Sequence, residues 1–168
     1  NSEVMSDIKA REAVVKALNI DEIVAGAYGD EEIATACPGG VICAGGQYYD
    51  ESLPNYEQDV EEAKKLAEES GLTDKTVRLL YNTARAGMED IALIIQQQCQ
   101  EVGIKVELVG MDSGAMLADF FDGNATSWDI GLNGYTSGGN PVYARSFFTT
   151  TGYYAANAYV TEEVDECW

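Results

Sequence analysis

Apolar residues return with a helical period from Asp7 to Leu18, at Ile8, Ala10, Ala13, Val14, Ala17 and Leu18, which predicts a helix with one buried face. Asn19-Ile20-Asp21 interrupts it, and Asp21 is the expected cap of a short second helix ending near Ala27. The period is then lost from Tyr28 to Tyr56, a stretch rich in Gly and Tyr that holds two of the three prolines. An irregular run of that length covers something or does something. Here it reads as a wrap over a lobe surface rather than a binding lid. Asp59, with Glu62 three residues later, has capping-box spacing and starts a helix that Gly71 stops after Ser70.

From Thr76 onward the pattern alternates. Thr76 to Tyr81 reads as a buried strand, and Met88 to Val102 as an amphipathic helix closed by Gly103. Ile104 to Val109 sets Ile, Val and Leu against Lys and Glu and predicts a second strand. Asp112 or Ser113 caps a further helix through Phe121, and Trp128 to Tyr135 is the third strand. Strand–helix–strand–helix–strand predicts an α/β fold, with a mainly parallel or mixed sheet covered by helices on both faces. Ligands on such sheets gather at the carboxyl ends of the strands. Two of those ends are Tyr81-Asn82-Thr83 and Tyr135-Thr136-Ser137.

Beyond Asp129-Ile-Gly-Leu-Asn-Gly-Tyr135 the chain continues as Thr136-Ser137-Gly138-Gly139-Asn140-Pro141, a loop made almost wholly of backbone and hydroxyl groups. Such a loop can grip a ligand through exposed N–H and C=O groups. It is unsuited to acid–base chemistry, because it holds no titratable side chain between Tyr135 and Pro141. Tyr135 can stack on a ligand or pack the strand end, and Asn140-Pro141 is also an ordinary turn starter.

The 168 residues fit a single domain able to bury a core. The formal net charge of −19 argues against nucleic acid and anionic membrane as partners. Histidine is absent, which excludes Ser-His-Asp and Cys-His nucleophile schemes and most catalytic zinc sites. The acidic runs lack calcium-loop spacing, so no metal or cofactor is expected. The glycine pairs Gly39-Gly40 and Gly45-Gly46 lack the Gly-Lys-Ser/Thr of a phosphate loop. Of the four cysteines, Cys99 falls on an apolar helix face and reads as core. Cys37 and Cys43 flank Pro-Gly-Gly-Val-Ile. They can bridge in an oxidising compartment, but two free thiols are the favoured reading. The chain begins without Met and stops on Glu-Cys-Trp168 inside a helix-like stretch, so it is read as an excised fragment lacking any targeting segment.

Five segments together resemble one family. Asp7-Ile-Lys-Ala-Arg11-Glu-Ala13 through Ala17-Leu-Asn-Ile-Asp21-Glu-Ile23-Val24 is similar to its paired-helix motif D-x-x-x-R-x-A…A-x-D-x-x-x-I. Tyr56-Glu-Gln-Asp59 with Ala63-Lys64-Lys65-Leu66 and Gly71 resembles its Y-x-x-D-x-x-x-A-K-x-L…G. Ile94-Ile-Gln-Gln-Gln98 through Val102-Gly103-Ile104-Lys105-Val106 resembles I-Q-x-x-L…G-I-x-V. Trp128-Asp129-Ile130 through Gly134-Tyr135 sits at its F-D-x-x-x-x-G-W strand, and Asn157-Ala-Tyr159 through Glu163-Val164-Asp165 at N-x-x-Y…D. In this order, over nearly the whole chain, they resemble the second lobe of the family 5 extracellular solute-binding proteins, the oligopeptide, dipeptide and nickel receptors of ABC importers.

The resemblance implies a periplasmic-binding-protein-like lobe over residues 1–168, with the first lobe and the C-terminal crossing segment absent. It implies ligand capture between two lobes and closure by population shift. It also implies ABC permease subunits and the protein's own first lobe as partners, no turnover, no membrane insertion of this domain, and an extracytoplasmic place, periplasmic or as a cell-surface lipoprotein. The ligand, a peptide or related solute, would meet Gly134, Tyr135, Thr136, Ser137, Gly138, Gly139, Asn140 and Asn157. Backbone groups at Gly134 and Thr136 would pair with it by strand addition. Peptide receptors of the family hold the ligand's amino group with an aspartate in this loop. Here Gly138 or Gly139 stands at that position, removing a contact worth on the order of 1.5–3 kcal/mol. Two other readings are a signalling or adhesion receptor without transport, and a cysteine-dependent enzyme on a flavodoxin-like sheet using Cys37 or Cys43.

Overall fold

The computed structural model describes residues 2–29, 33–37, 46, 48–52, 56–134, 142, 145–152 and 162–166. Helix α1 (Ile8–Ala17) is capped by Asp7, whose carboxylate accepts from the Lys9 N–H, and it buries Ala10, Ala13, Val14 and Ala17. Helix α2 (Ile20–Tyr28) follows at once. Its cap is Asn19 rather than the expected Asp21, because the Asn19 side-chain Oδ1 accepts from Glu22 N at 3.1 Å. Asp21 sits instead in the first helical turn. The buried Gln98 of a later helix accepts from Asn19 N at 3.0 Å and donates to Glu22 Oε2 at 3.1 Å, fixing that start.

Helix α3 (Val60–Glu69) begins at Asp59, which accepts from Glu62 N. The capping box is only half formed, since the Asp59 N–H donates to the Lys16 carbonyl at 2.8 Å. That bond ties α3 to the end of α1, against which it packs. Gly71 takes a left-handed φ of 66° and ends the helix as expected.

Strand β1 (Thr76–Asn82) is the buried centre of the sheet, with Val77, Leu79 and Leu80 at 0–1% exposure. Helix α4 (Met88–Glu101) leads to β2 (Lys105–Met111), and α5 (Ser113–Phe121), capped by Asp112, leads to β3 (Ile130–Gly131). Two short helices, α6 (Arg145–Phe148) and α7 (Glu162–Asp165), complete the described elements. Cys99 on α4 is fully buried, and burial pushes its thiol up to about 12.

Both β2 and β3 pair parallel to β1, in the order β2-β1-β3. The connection through α4 steps to one side of β1, and the connection through α5 steps back across it. With right-handed crossovers this puts α4 and α5 on opposite faces of the sheet. The strand expected over Trp128 to Tyr135 is reduced to two residues. Ladder bonds from Asp129 N to Arg78 O and from Leu132 N to Leu80 O flank it. Beyond them the Gly134 N–H donates to the Asn133 side chain at 2.9 Å, a local bond that replaces the ladder. Tyr135 lies outside the described residues.

Candidate functional site

The order β2-β1-β3 reverses direction at β1, so the crevice outside the carboxyl ends of β1 and β3 is the topological switch point of the sheet. The turn after β1 forms one wall. Ala84 N donates to Asn82 Oδ1 at 2.9 Å, and Asn82 Nδ2 donates to Ser113 Oγ at 3.0 Å. Thr83 donates to the Met111 carbonyl through both its N–H and its hydroxyl, at 2.9 and 3.1 Å. The turn is thereby fastened to the end of β2 and the start of α5. Gly87, at φ 79°, then opens α4.

Arg85, exposed on this turn, reaches across to Gly134 at the end of β3: a Cβ built on Gly134 would collide with the guanidinium. Among the described residues no carboxylate forms an ion pair with Arg85. An exposed cation at the switch point of a strongly acidic chain can bind an anionic group. Sequence reasoning missed Arg85. A signal was available, since it is one of ten Lys and Arg residues and stands two positions beyond the strand end Tyr81-Asn82-Thr83.

The opposite end of β3 has a different character. The Asp129 side chain is 1% exposed and receives Arg78 Nη2 at 2.9 Å, Arg78 Nε at 2.9 Å, the Arg78 N–H at 2.8 Å and Ser2 Oγ at 2.6 Å. Arg78 also donates to the Thr126 carbonyl. Burial by itself would raise the Asp129 carboxyl. The hydrogen bonds from Arg78 and Ser2 outweigh it and hold the group below the usual carboxylate range. Beside it Trp128 stacks on Phe120, centroids 5.3 Å apart and planes 3° from parallel. These groups brace the foot of the strand.

Of the residues expected at the site, Gly134 is described and stands at the rim with Arg85. Tyr135, Thr136, Ser137, Gly138, Gly139, Asn140 and Asn157 lie outside the described residues, as does most of the segment from Tyr28 to Tyr56. Asp165, from the last family-like segment, accepts from Thr150 N at 2.8 Å and from the Thr150 hydroxyl, joining α7 to α6. Cys37 is disulfide-bonded, which corrects the expectation of a free thiol there, and its partner lies outside the described residues. A thiol locked in a disulfide is no nucleophile, so an enzyme built on Cys37 is not supported. Among the described residues no group of His, Cys, Asp and Glu is placed to hold a metal, and no helix is long and apolar enough to cross a membrane.

Residues 1–155 match the model of the bacterial extracellular solute-binding proteins, family 5, middle region. The structure is similar to the ABC transporter substrate-binding protein CtaP from Listeria monocytogenes, with a TM-score of 0.88 and 30% identity over 98% of this chain and 34% of that one. It is similar to a putative peptide-binding protein, AppA, from Clostridium difficile, at TM-score 0.87 and 32% identity over 99% of this chain and 34% of that one. The fold is also that of the oligopeptide-binding protein AppA from Bacillus subtilis, solved with a nonapeptide (TM-score 0.80, 19% identity, 98% of this chain and 35% of that one). The chain spans about a third of the length of these relatives. No curated protein sequence matches it.

Proposed function

The chain belongs to family 5 of the bacterial extracellular solute-binding proteins, and from that premise we propose that it is the second lobe of an ABC-importer receptor capturing a peptide or related solute. The family and fold are those of binding proteins rather than enzymes, and family 5 proteins are extracytoplasmic. The observation that supports the proposal is the switch point at Arg85 and Gly134: an exposed cation laid over a glycine at the carboxyl ends of two adjacent parallel strands. On this reading the Gly134 to Asn140 loop and Asn157 contact the ligand main chain, and Arg85 pairs with an anionic group such as a carboxylate. The amino-group anchor missing at Gly138-Gly139 is supplied from the first lobe, or the ligand has no free amine. Permease subunits are the partners in transport, and the receptor is periplasmic or lipid-anchored at the cell surface.

The full-length protein, screened by thermal melting against a peptide library, should gain stability with at least one class of peptide. A ligand at 100 times its Kd adds about 2.7 kcal/mol. A library of varied length and charge that leaves the transition unmoved would remove the peptide part of the proposal.

A further inference from the structure

Hydrogen bonds between parallel strands are evenly spaced, one donor on every second residue. Leu132 N donates to the Leu80 carbonyl at 2.8 Å, so the next donor in line is Gly134 N and its acceptor would be the Asn82 carbonyl. That bond is not made. The Asn82 carbonyl accepts instead from Arg85 N at 3.3 Å, inside the turn that leaves β1. Gly134 N donates to the Asn133 side chain, whose Oδ1 lies 2.9 Å away. The final described main-chain donor of this segment is therefore held by its own neighbour and not by a strand.

An acceptor of this kind is easily exchanged. Asn133 is exposed, and rotation about its own side-chain bonds releases Gly134 N without moving either strand. Water then solvates the freed amide group, so the loss is only the small net value of one hydrogen bond. The N–H that this uncovers has a charged companion. The Arg85 guanidinium occupies the place that a Gly134 Cβ would take, with Met88 Cε 3.4 Å from the same point. A neutral donor and a cationic one thus stand side by side at the rim. The group that suits both is an oxygen acceptor, a carbonyl or a carboxylate. In the unliganded chain the Asn133 oxygen already plays that part toward Gly134.

We propose that Asn133 is a placeholder for the ligand. Its side-chain oxygen occupies the position that a ligand oxygen takes on binding, and affinity is set in part by the exchange of one acceptor for the other. The inference rests on the reading of the Arg85 and Gly134 rim as the binding site. It adds to that reading a residue that opposes binding instead of contributing to it.

The test uses the full-length protein as wild type, Asn133→Ala and Asn133→Asp, titrated by calorimetry at neutral pH with the tightest-binding member of the peptide library. Asn133→Ala removes the internal acceptor at an exposed position and should bind roughly 2- to 10-fold more tightly, the worth of one net hydrogen bond. Asn133→Asp strengthens that acceptor with a charge and should bind at least ~10-fold more weakly. Hydrogen exchange adds a readout that a merely structural role would not move. Without peptide the Gly134 amide should exchange faster in Asn133→Ala than in wild type, and with saturating peptide the two should be equally slow. Weaker binding by Asn133→Ala would make the side chain a direct ligand contact and overturns the proposal. So does a Gly134 amide that peptide leaves unprotected. A library that binds wild type and Asn133→Ala equally sinks this inference alone, whereas a library that binds neither sinks the receptor reading with it.

Discussion

The two ends of β3 are built on opposite principles. At its amino end the strand is tied down by side chains: Asp129 to Arg78 and Ser2, Trp128 against Phe120, all buried or half-buried. At its carboxyl end the side chains all but disappear, leaving Gly134 under an exposed Arg85. If the proposed site is right, stability and recognition are separated along one short strand. The braced foot can hold the strand in register, and on the proposed reading it gives rigid support to a rim that meets the ligand.

Asp129→Ala should break the comparison at its strongest point. Removing one partner of a buried, hydrogen-bonded pair costs about 3–5 kcal/mol, and the lower end applies because Arg78 is one-third exposed. Denaturant unfolding should register that loss, with ligand affinity of the folded molecules unchanged. The same pair sets a pH dependence. Asp129 titrates lower in the folded chain than when unfolded, so its contribution is complete above the unfolded value of about 3.9 and disappears as pH falls through the folded one. The stability gap between wild type and Asp129→Ala should therefore be constant from pH 5 to pH 7 (about two units) and narrow on acidification below pH 4 or so.

Arg85→Ala probes the rim. Its stability should stay within about 0.5 kcal/mol of wild type, as for an exposed position. Affinity for an anionic ligand should fall by roughly 10- to 100-fold, the equivalent of a lost charge-assisted contact of about 1.5–3 kcal/mol, read by calorimetry on the full-length protein. The smallest effect is expected at Asn19→Ala, which removes a helix cap distant from either end of β3. Thermal unfolding should show a loss of about 1 kcal/mol and unaltered binding.

These elements were unequally legible in the sequence. Helices α1 to α5 and the first two strands follow from local periodicity, and their observed ends differ from the expected ones by a residue or two; the short α6 and α7 have no such pattern. The cap at Asn19 was missed because Asn19 and Asp21 are both competent, and the choice is made by Gln98, 79 residues away. The length of β3 was overestimated because Ile, Gly and Leu continue a strand-like pattern up to Asn133, while a side-chain bond from Asn133 to the next N–H ends the pairing. Asp129 was marked by its place in a family-like motif, but Arg78, 51 residues earlier on β1, had nothing local to reveal it as the partner. Arg85 gained meaning only when the fold laid the turn after β1 over Gly134. The loop from Tyr135 to Asn140 was singled out on composition and family pattern alone.

The most direct test compares melting temperatures of full-length wild type, Asp129→Ala and Arg85→Ala, each with and without a saturating anionic peptide. Separation of the two ends predicts that Asp129→Ala lowers both temperatures together and preserves the ligand-induced rise. Arg85→Ala should leave the unliganded temperature in place and shrink the rise. The account is contradicted if Asp129→Ala abolishes the rise, or if Arg85→Ala lowers the unliganded temperature while the rise stays whole.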